Sequence, residues 1–184
     1  REQGFVVANS ETRKQIIVDQ VKSEAAKING EVVIDDDLLN EVVALNEWPV
    51  AVAGEFEEMY LDVPAEALIK TMQDNQKYFP VIDKDKNLKS FFITISNIES
   101  KNKTAVKQGN ERVIRPRLAD AKFFWEQDRK QTLESFGATL NDVVFQKQLG
   151  SIGEKTDRVS SIAEIIAKKL NVDVEHAKRA AQLS

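Results

Sequence analysis

Hydrophobic positions in the first part of the chain repeat at the three- and four-residue spacing of amphipathic helices. This spacing predicts a helix over residues 11–28, with Ser10 as its N-cap. A second helix is predicted after residues 35–37, a run of aspartates that suits the positive end of a helix dipole. Pro64 is predicted at the first position of a third helix, which runs to about residue 76.

The middle of the chain changes to a composition typical of β-strands. Residues 50–56 predict one strand between the second and third helices. Residues 78–82 and 88–96 are rich in aromatic and β-branched side chains. They flank a turn-forming cluster at residues 83–87, and this arrangement predicts a β-hairpin.

After the hairpin the sequence returns to helical patterns. Residues 101–113 are polar and predicted to be helical, and Pro116 is predicted to open a separate helix. The next helix has an apolar stripe formed by Leu118, Ala121 and either Phe124 or Trp125.

The last part of the chain carries few strand signals. Gly137 and Asn141 indicate a loop, and residues 143–145 indicate either a short strand or the entry to the helices that follow. From Gln146 onward only helices are predicted, the last of them capped by Asp173.

The change from mixed to helical composition near Phe145 predicts a domain boundary. The expected fold class is α+β, with a mixed α/β domain over residues 1–145 and a helical segment over residues 146–184.

The formal net charge of −4 hides an uneven distribution. From Glu31 to Glu66 there are eleven acidic residues and no Lys or Arg, a local balance of −11. From Lys101 to Lys130 nine basic residues stand against four acidic ones, a balance of +5. Either the basic segment binds phosphates and the acidic segment stays clear of them, or both are solvated helix faces that complement each other.

Composition excludes several kinds of chemistry. The chain has no cysteine, which rules out disulfides, thiolate nucleophiles and Cys-ligated zinc and fits a reducing cytosol. His176 is the single histidine, so a multi-histidine metal site cannot form within this chain. No apolar run approaches the ~20 residues that a membrane-spanning helix needs, and no signal-peptide core is found in the first residues.

Two short segments resemble known ligand-binding loops, but the spacing of their residues excludes both. Residues 150–156 resemble a phosphate loop, but Glu154 interrupts the required Gly-Lys-Thr sequence, so a glycine-bearing helix start is favoured. Residues 83–88 begin like a calcium loop, but Leu88 stands where glycine is required, so a hairpin turn is favoured. We expect no catalytic residue in this chain.

Several long segments, taken in order, resemble one protein family. They are LIKTMQDNQKYFPV at 68–81, FITISNIES at 92–100, GNERVIRPRLADAKFF at 109–124 and VFQKQLG at 144–150. Shorter matches at residues 37–39 and 47–50 precede them. Together these segments resemble the β subunit of the bacterial heterotetrameric glycyl-tRNA synthetase over essentially the whole chain.

The resemblance implies that the chain is an interior piece of that subunit. Residues 1–145 would form a domain similar to the editing-type domain of the phenylalanyl-tRNA synthetase β subunit, and residues 146–184 the first helices of an HD-like domain. Editing itself is not implied, because fold and function are separable and a pocket can exclude amino acids larger than glycine by size. The His-Asp pair of an HD domain would lie beyond Ser184, so no metal site is expected.

The resemblance also implies a function and partners. In this family the α subunit binds ATP and Mg²⁺ and carries adenylation and transfer, while the β subunit supports the glycylation of tRNA(Gly) by recognising the tRNA. The implied partners are the α subunit, tRNA(Gly) and the remainder of the β subunit, in a cytoplasmic heterotetramer used in protein biosynthesis. Neither a cofactor nor a membrane is expected for this segment.

The basic segment then becomes the expected tRNA-binding site. Its candidate residues are Lys107, Arg112, Arg115 and Arg117. The planar fork of arginine suits bidentate phosphate contacts, and the first amides of a helix opening at Pro116 would join the site. A single helix face cannot carry all three arginines. The alternative for the arginines is that one or more of them pair with Glu111, Asp120 or the acidic segment and hold the domain together. For the region as a whole, the alternative is a scaffold for α–β assembly without tRNA contact.

Overall fold

The described chain packs as two compact units. A computed structural model describes residues 4–184. One unit runs to Trp125, and the other runs from Glu126 to Ser184. The division precedes Phe145, and the domain boundary predicted there stays a prediction. The described residues contain seven α-helices and two antiparallel sheets, which confirms the α+β class.

Four helices begin in the first unit. They are α1 (Ser10–Lys27), α2 (Asp36–Leu45), α3 (Ala65–Lys70) and α4 (Lys103–Asp128). Asn9 rather than Ser10 caps α1, because its side chain accepts a hydrogen bond from the Thr12 amide. A π-helical segment, Thr71–Asn75, extends α3 to the predicted end.

A four-stranded antiparallel sheet lies between these helices. Its strands are β1 (Glu31–Val32), β2 (Val50–Glu55), β3 (Phe79–Ile82) and β4 (Leu88–Ser96). They are ordered β1-β3-β4-β2, so the predicted strand and the predicted hairpin are confirmed. The carboxylate of Asp83 accepts hydrogen bonds from the Asp85 and Asn87 amides and thereby holds the hairpin turn. Only the two-residue β1 was not predicted.

Each face of the sheet has its own core. Alternate side chains of a strand point to opposite faces. Ile93 joins α1 and α2 in one core, whereas Phe92 joins α3 and α4 in the other. We refer to the second as the α4 core, and its buried members are Phe56, Tyr60, Val63, Leu68, Met72, Tyr78, Phe92, Ile114 and Leu118.

Phe92 is a fully buried member of the α4 core. Its ring stacks on Tyr78, with ring centroids 4.5 Å apart and planes 12° apart. Gly54 lies directly opposite Phe92 on β2. A Cβ at position 54 would stand 2.4 Å from the ring atom Cζ, so only glycine leaves room for this side chain.

The second unit combines short helices with a small hairpin. Its elements after α4 are α5 (Leu133–Thr139), β5 (Val144–Gln146), β6 (Gly150–Ser151), α6 (Ile152–Leu170) and α7 (Val174–Leu183). The strand indicated as one alternative near residue 144 and the Asp173 cap are confirmed.

Two predictions for the second unit are wrong. Gly137 lies inside α5 rather than in a loop, because the Thr132 cap starts a helix that continues through the glycine. Helices are not the only elements after Gln146, since β6 pairs with β5. A strand of two residues has no periodicity to detect. The predicted glycine-bearing helix start is confirmed, because Ser151 and Glu154 form a capping box.

The close approach of Phe92 to β2 predicts opposite effects for two glycine substitutions. Gly54→Ala should lower the free energy of unfolding by about 1–3 kcal/mol, because the new Cβ overpacks the Phe92 ring. Gly109→Ala is the matched control, since Gly109 lies within α4 and no atom stands within 4 Å of its added Cβ. It should raise stability by about 0.5–1 kcal/mol. Urea unfolding measures both, and equal effects would contradict the packing described.

Candidate nucleic-acid interface

All four predicted tRNA-binding residues lie on one helix. The α4 helix begins after Asn102, whose side chain accepts a hydrogen bond from the Ala105 amide, and it continues to Asp128. Pro116 lies in its interior, so the prediction of a new helix opening there is wrong. An interior proline removes one backbone hydrogen bond and crowds the carbonyl four residues earlier, and the burial of Ile114 and Leu118 on either side of Pro116 outweighs this cost. The amides after Pro116 are therefore not a helix N-terminus, and they supply no anion site.

One side of α4 is fixed against the sheet. Ile114 and Leu118 are fully buried in the α4 core. The Tyr78 hydroxyl donates a hydrogen bond to the side-chain oxygen of Asn110 at 2.7 Å. Burial raises the pKa of Tyr78 to about 12, so the hydroxyl keeps the proton that it donates. These contacts set the rotation of α4 about its axis.

Two of the predicted phosphate ligands are engaged by the acidic segment. Lys107 Nζ lies 3.0 Å from Glu55 Oε1 and 3.4 Å from Glu111 Oε1. The hydrogen bond to Glu55 raises the pKa of Lys107. Arg115 Nε donates to Glu57 Oε1 at 2.6 Å. The pairing considered for the arginines is thus observed for Arg115, and Lys107 forms an equivalent pair.

The other two predicted ligands are exposed. Arg112 and Arg117 point to solvent, and within residues 4–184 neither has a hydrogen-bond or ion-pair partner. A helix turns by about 100° per residue, so Arg117 lies about 140° around the axis from Arg112. This confirms that one narrow helix face does not hold all the arginines. Whether these residues bind tRNA stays a prediction.

Two aromatic side chains on the same helix were not predicted as a surface feature. Trp125, not Phe124, completes the apolar stripe of Leu118 and Ala121 against the α4 core. Phe123 and Phe124 are 55% and 62% exposed. Their ring centroids are 5.5 Å apart at an interplanar angle of 75°. The run Phe-Phe-Trp could have predicted this exposure, because three adjacent aromatic side chains on a helix cannot all face one core.

The second unit exposes an apolar helix side. Val159, Ile162, Ile166 and Leu170 share one side of α6 and are each between 42% and 66% exposed. The small residues Gly153, Ser160 and Ala167 are instead the buried side of α6. We call the exposed set the α6 stripe. Its large side chains would normally be covered in a folded protein.

Other candidate chemistry in the second unit has a structural explanation. His176 is exposed beside Asp173, whose carboxylate caps α7. Arg179 forms a double hydrogen bond with Glu134, and this lowers the pKa of Glu134. Among residues 4–184 no three His, Cys, Asp or Glu side chains come together in a way that would hold a metal ion. The same residues contain no helix long and apolar enough to cross a membrane.

Comparison with known proteins defines the class as an aminoacyl-tRNA synthetase subunit. The family described as glycyl-tRNA synthetase beta subunit matches residues 1–184. The chain belongs to this family, and the resemblance inferred from its sequence segments is confirmed.

Individual relatives carry the same name. The glycine–tRNA ligase beta subunit of Shewanella woodyi is 53% identical over 184 residues, which is 100% of this chain and 27% of the relative. That of Psychromonas ingrahamii is 54% identical over 181 residues, or 98% of this chain and 26% of the relative. That of Chromohalobacter salexigens is 50% identical over 183 residues, or 100% of this chain and 27% of the relative. The chain thus spans about a quarter of the length of these relatives.

The Arg115–Glu57 pair predicts a measurable but small structural coupling. Both side chains are about half exposed, so a double-mutant cycle of Arg115→Ala and Glu57→Ala should give about 0.2–1 kcal/mol. Arg112→Ala is the control, and it should change the free energy of unfolding by less than about 0.5 kcal/mol because Arg112 has no partner among the described residues. Zero coupling between Arg115 and Glu57 in urea unfolding would mean that the pair does not stabilise the domain.

Proposed function

We propose that this chain is part of the β subunit of a glycine–tRNA ligase and supports the ATP-dependent glycylation of tRNA(Gly) by contacting the tRNA. In this proposal the α subunit binds ATP and Mg²⁺ and carries adenylation and transfer. The partners are the α subunit, tRNA(Gly) and the remainder of the β subunit, in the cytoplasm. Family membership over the whole chain supports the assignment to this enzyme.

The observation that carries the tRNA contact is the division of cations on α4. Lys107 and Arg115 are held by carboxylates, whereas Arg112 and Arg117 are exposed without an anionic partner in the described part of the chain. An exposed, unpaired guanidinium binds a phosphate without first giving up an ion pair. We therefore assign the phosphate contacts to Arg112 and Arg117 and treat Lys107 and Arg115 as residues that stabilise the domain.

A second candidate function is a scaffold for subunit assembly without direct tRNA contact. The α6 stripe favours it, because exposed aliphatic side chains pack against protein rather than against a phosphate backbone. The two functions use different surfaces, so substitutions on α4 and on α6 distinguish them. The similarity of the first unit to an editing-type domain and of the last helices to an HD-like domain remains part of this proposal.

The assignment predicts a specific decrease in tRNA affinity. In the complete α2β2 enzyme, Arg112→Ala with Arg117→Ala should weaken tRNA(Gly) binding by about tenfold, because each substitution removes a charge-assisted hydrogen bond to a phosphate. When the logarithm of the association constant is plotted against the logarithm of the salt concentration, the slope should also become shallower by about 1 for each phosphate that is no longer neutralised. Filter binding over a range of salt concentrations measures both quantities.

The matched control for this experiment is Lys107→Ala with Arg115→Ala, which removes the same charge from the same helix. It should leave the salt slope unchanged, because Glu55 and Glu57 already hold these cations. Equal effects of the two double variants would contradict the assignment. An unchanged affinity in the Arg112/Arg117 variant, together with loss of subunit assembly on Ile162→Ala with Ile166→Ala in the α6 stripe, would favour the scaffold.

A further inference from the structure

The exposed Phe123 and Phe124 have no role in packing the α4 core. Two other phenylalanines of the same unit, Phe79 and Phe92, are fully buried, so the unit does not lack interior positions for such rings. Leaving two adjacent rings in water forfeits the burial that aromatic side chains normally gain. Their position relative to the unpaired arginines indicates what covers them.

Each exposed ring lies in line with one unpaired arginine along α4. Phe123 follows Arg112 by eleven residues, which is close to three full turns at about 100° per residue. Phe124 follows Arg117 by seven residues, which is close to two turns. At about 1.5 Å per residue, the Cα atoms are about 16 Å and about 10 Å apart along the axis. The outer side of α4 thus carries two rows, each with a guanidinium at one end and an aromatic ring at the other.

A carboxylate separates the two ends of these rows. Asp120 is exposed between the arginines and the rings, and it repels a phosphate placed next to it. A continuous run of phosphates along the helix is therefore disfavoured. The arrangement suits a ligand that presents phosphates at the arginine end and uncharged flat surfaces at the phenylalanine end.

Unpaired nucleotides have this combination of groups. A base in single-stranded RNA exposes a π face that stacks on an aromatic side chain, whereas in a duplex both faces are covered by neighbouring base pairs. The flanking phosphates remain available to arginine. We infer that Phe123 and Phe124 stack on unpaired bases of the tRNA, while Arg112 and Arg117 hold phosphates of the same single-stranded segment. This inference rests on the proposed tRNA contact of α4.

The test separates stacking from simple apolar cover. In the complete α2β2 enzyme, Phe123→Leu with Phe124→Leu keeps apolar side chains but removes the π faces, and tRNA(Gly) affinity should fall by about tenfold. The salt slope should stay the same, because stacking releases no counterions. Phe123→Tyr with Phe124→Tyr should bind like the unsubstituted enzyme, since the rings are retained. Leu45→Ala, an exposed apolar truncation on α2 and so away from the two rows on α4, is the control and should have no effect.

The outcomes also distinguish this inference from the proposed function. Weaker binding with a shallower salt slope in the Arg112/Arg117 variant, together with normal binding in the leucine variant, would leave the tRNA contact standing and overturn stacking. Normal tRNA affinity in both variants would overturn both proposals. Loss of α–β association in the leucine variant, with tRNA affinity unchanged, would identify the α subunit as the partner of these rings and would also overturn stacking.

Discussion

The packing of one side of α4 on the sheet is the constraint from which the surface of the first unit follows. Ile114 and Leu118 are buried against the stacked rings of Tyr78 and Phe92, and Gly54 leaves the space that Phe92 fills. A helix held on one side by a close-packed core cannot rotate without exposing apolar groups. The core therefore decides which α4 residues face the acidic segment and which face solvent.

The orientation of α4 about its axis determines which of its cations are neutralised by carboxylates. Two cations of α4 reach carboxylates of the acidic segment, since Lys107 pairs with Glu55 and Arg115 pairs with Glu57. Arg112 and Arg117 project elsewhere and find no anion among the described residues. The uneven charge along the sequence is thus partly neutralised inside the domain. The basic surface that is left to bind an external anion is therefore smaller than the number of basic residues suggests.

Local sequence signals predicted much of the fold. The hairpin, β2, the start of α2 at the aspartate run and the α7 cap at Asp173 were predictable because turn and cap chemistry is local. Pro116 misled because proline opens helices far more often than it lies inside them, and only the tertiary packing of Ile114 and Leu118 outweighs that preference. The candidate site was predictable as a basic helix. Which cations of α4 are paired depends on Glu55 and Glu57, which lie more than fifty residues away in sequence, so no local pattern predicts it.

The central claim is that α4 presents Arg112 and Arg117 to tRNA while Arg115 serves the domain. Arginine modification by phenylglyoxal, read by mass spectrometry on the complete α2β2 enzyme with and without tRNA(Gly), tests this claim most directly. We predict that tRNA protects Arg112 and Arg117 and leaves the modification of Arg115 unchanged, because Glu57 holds it in both states. Equal modification of Arg112 and Arg117 with and without tRNA would contradict the claim.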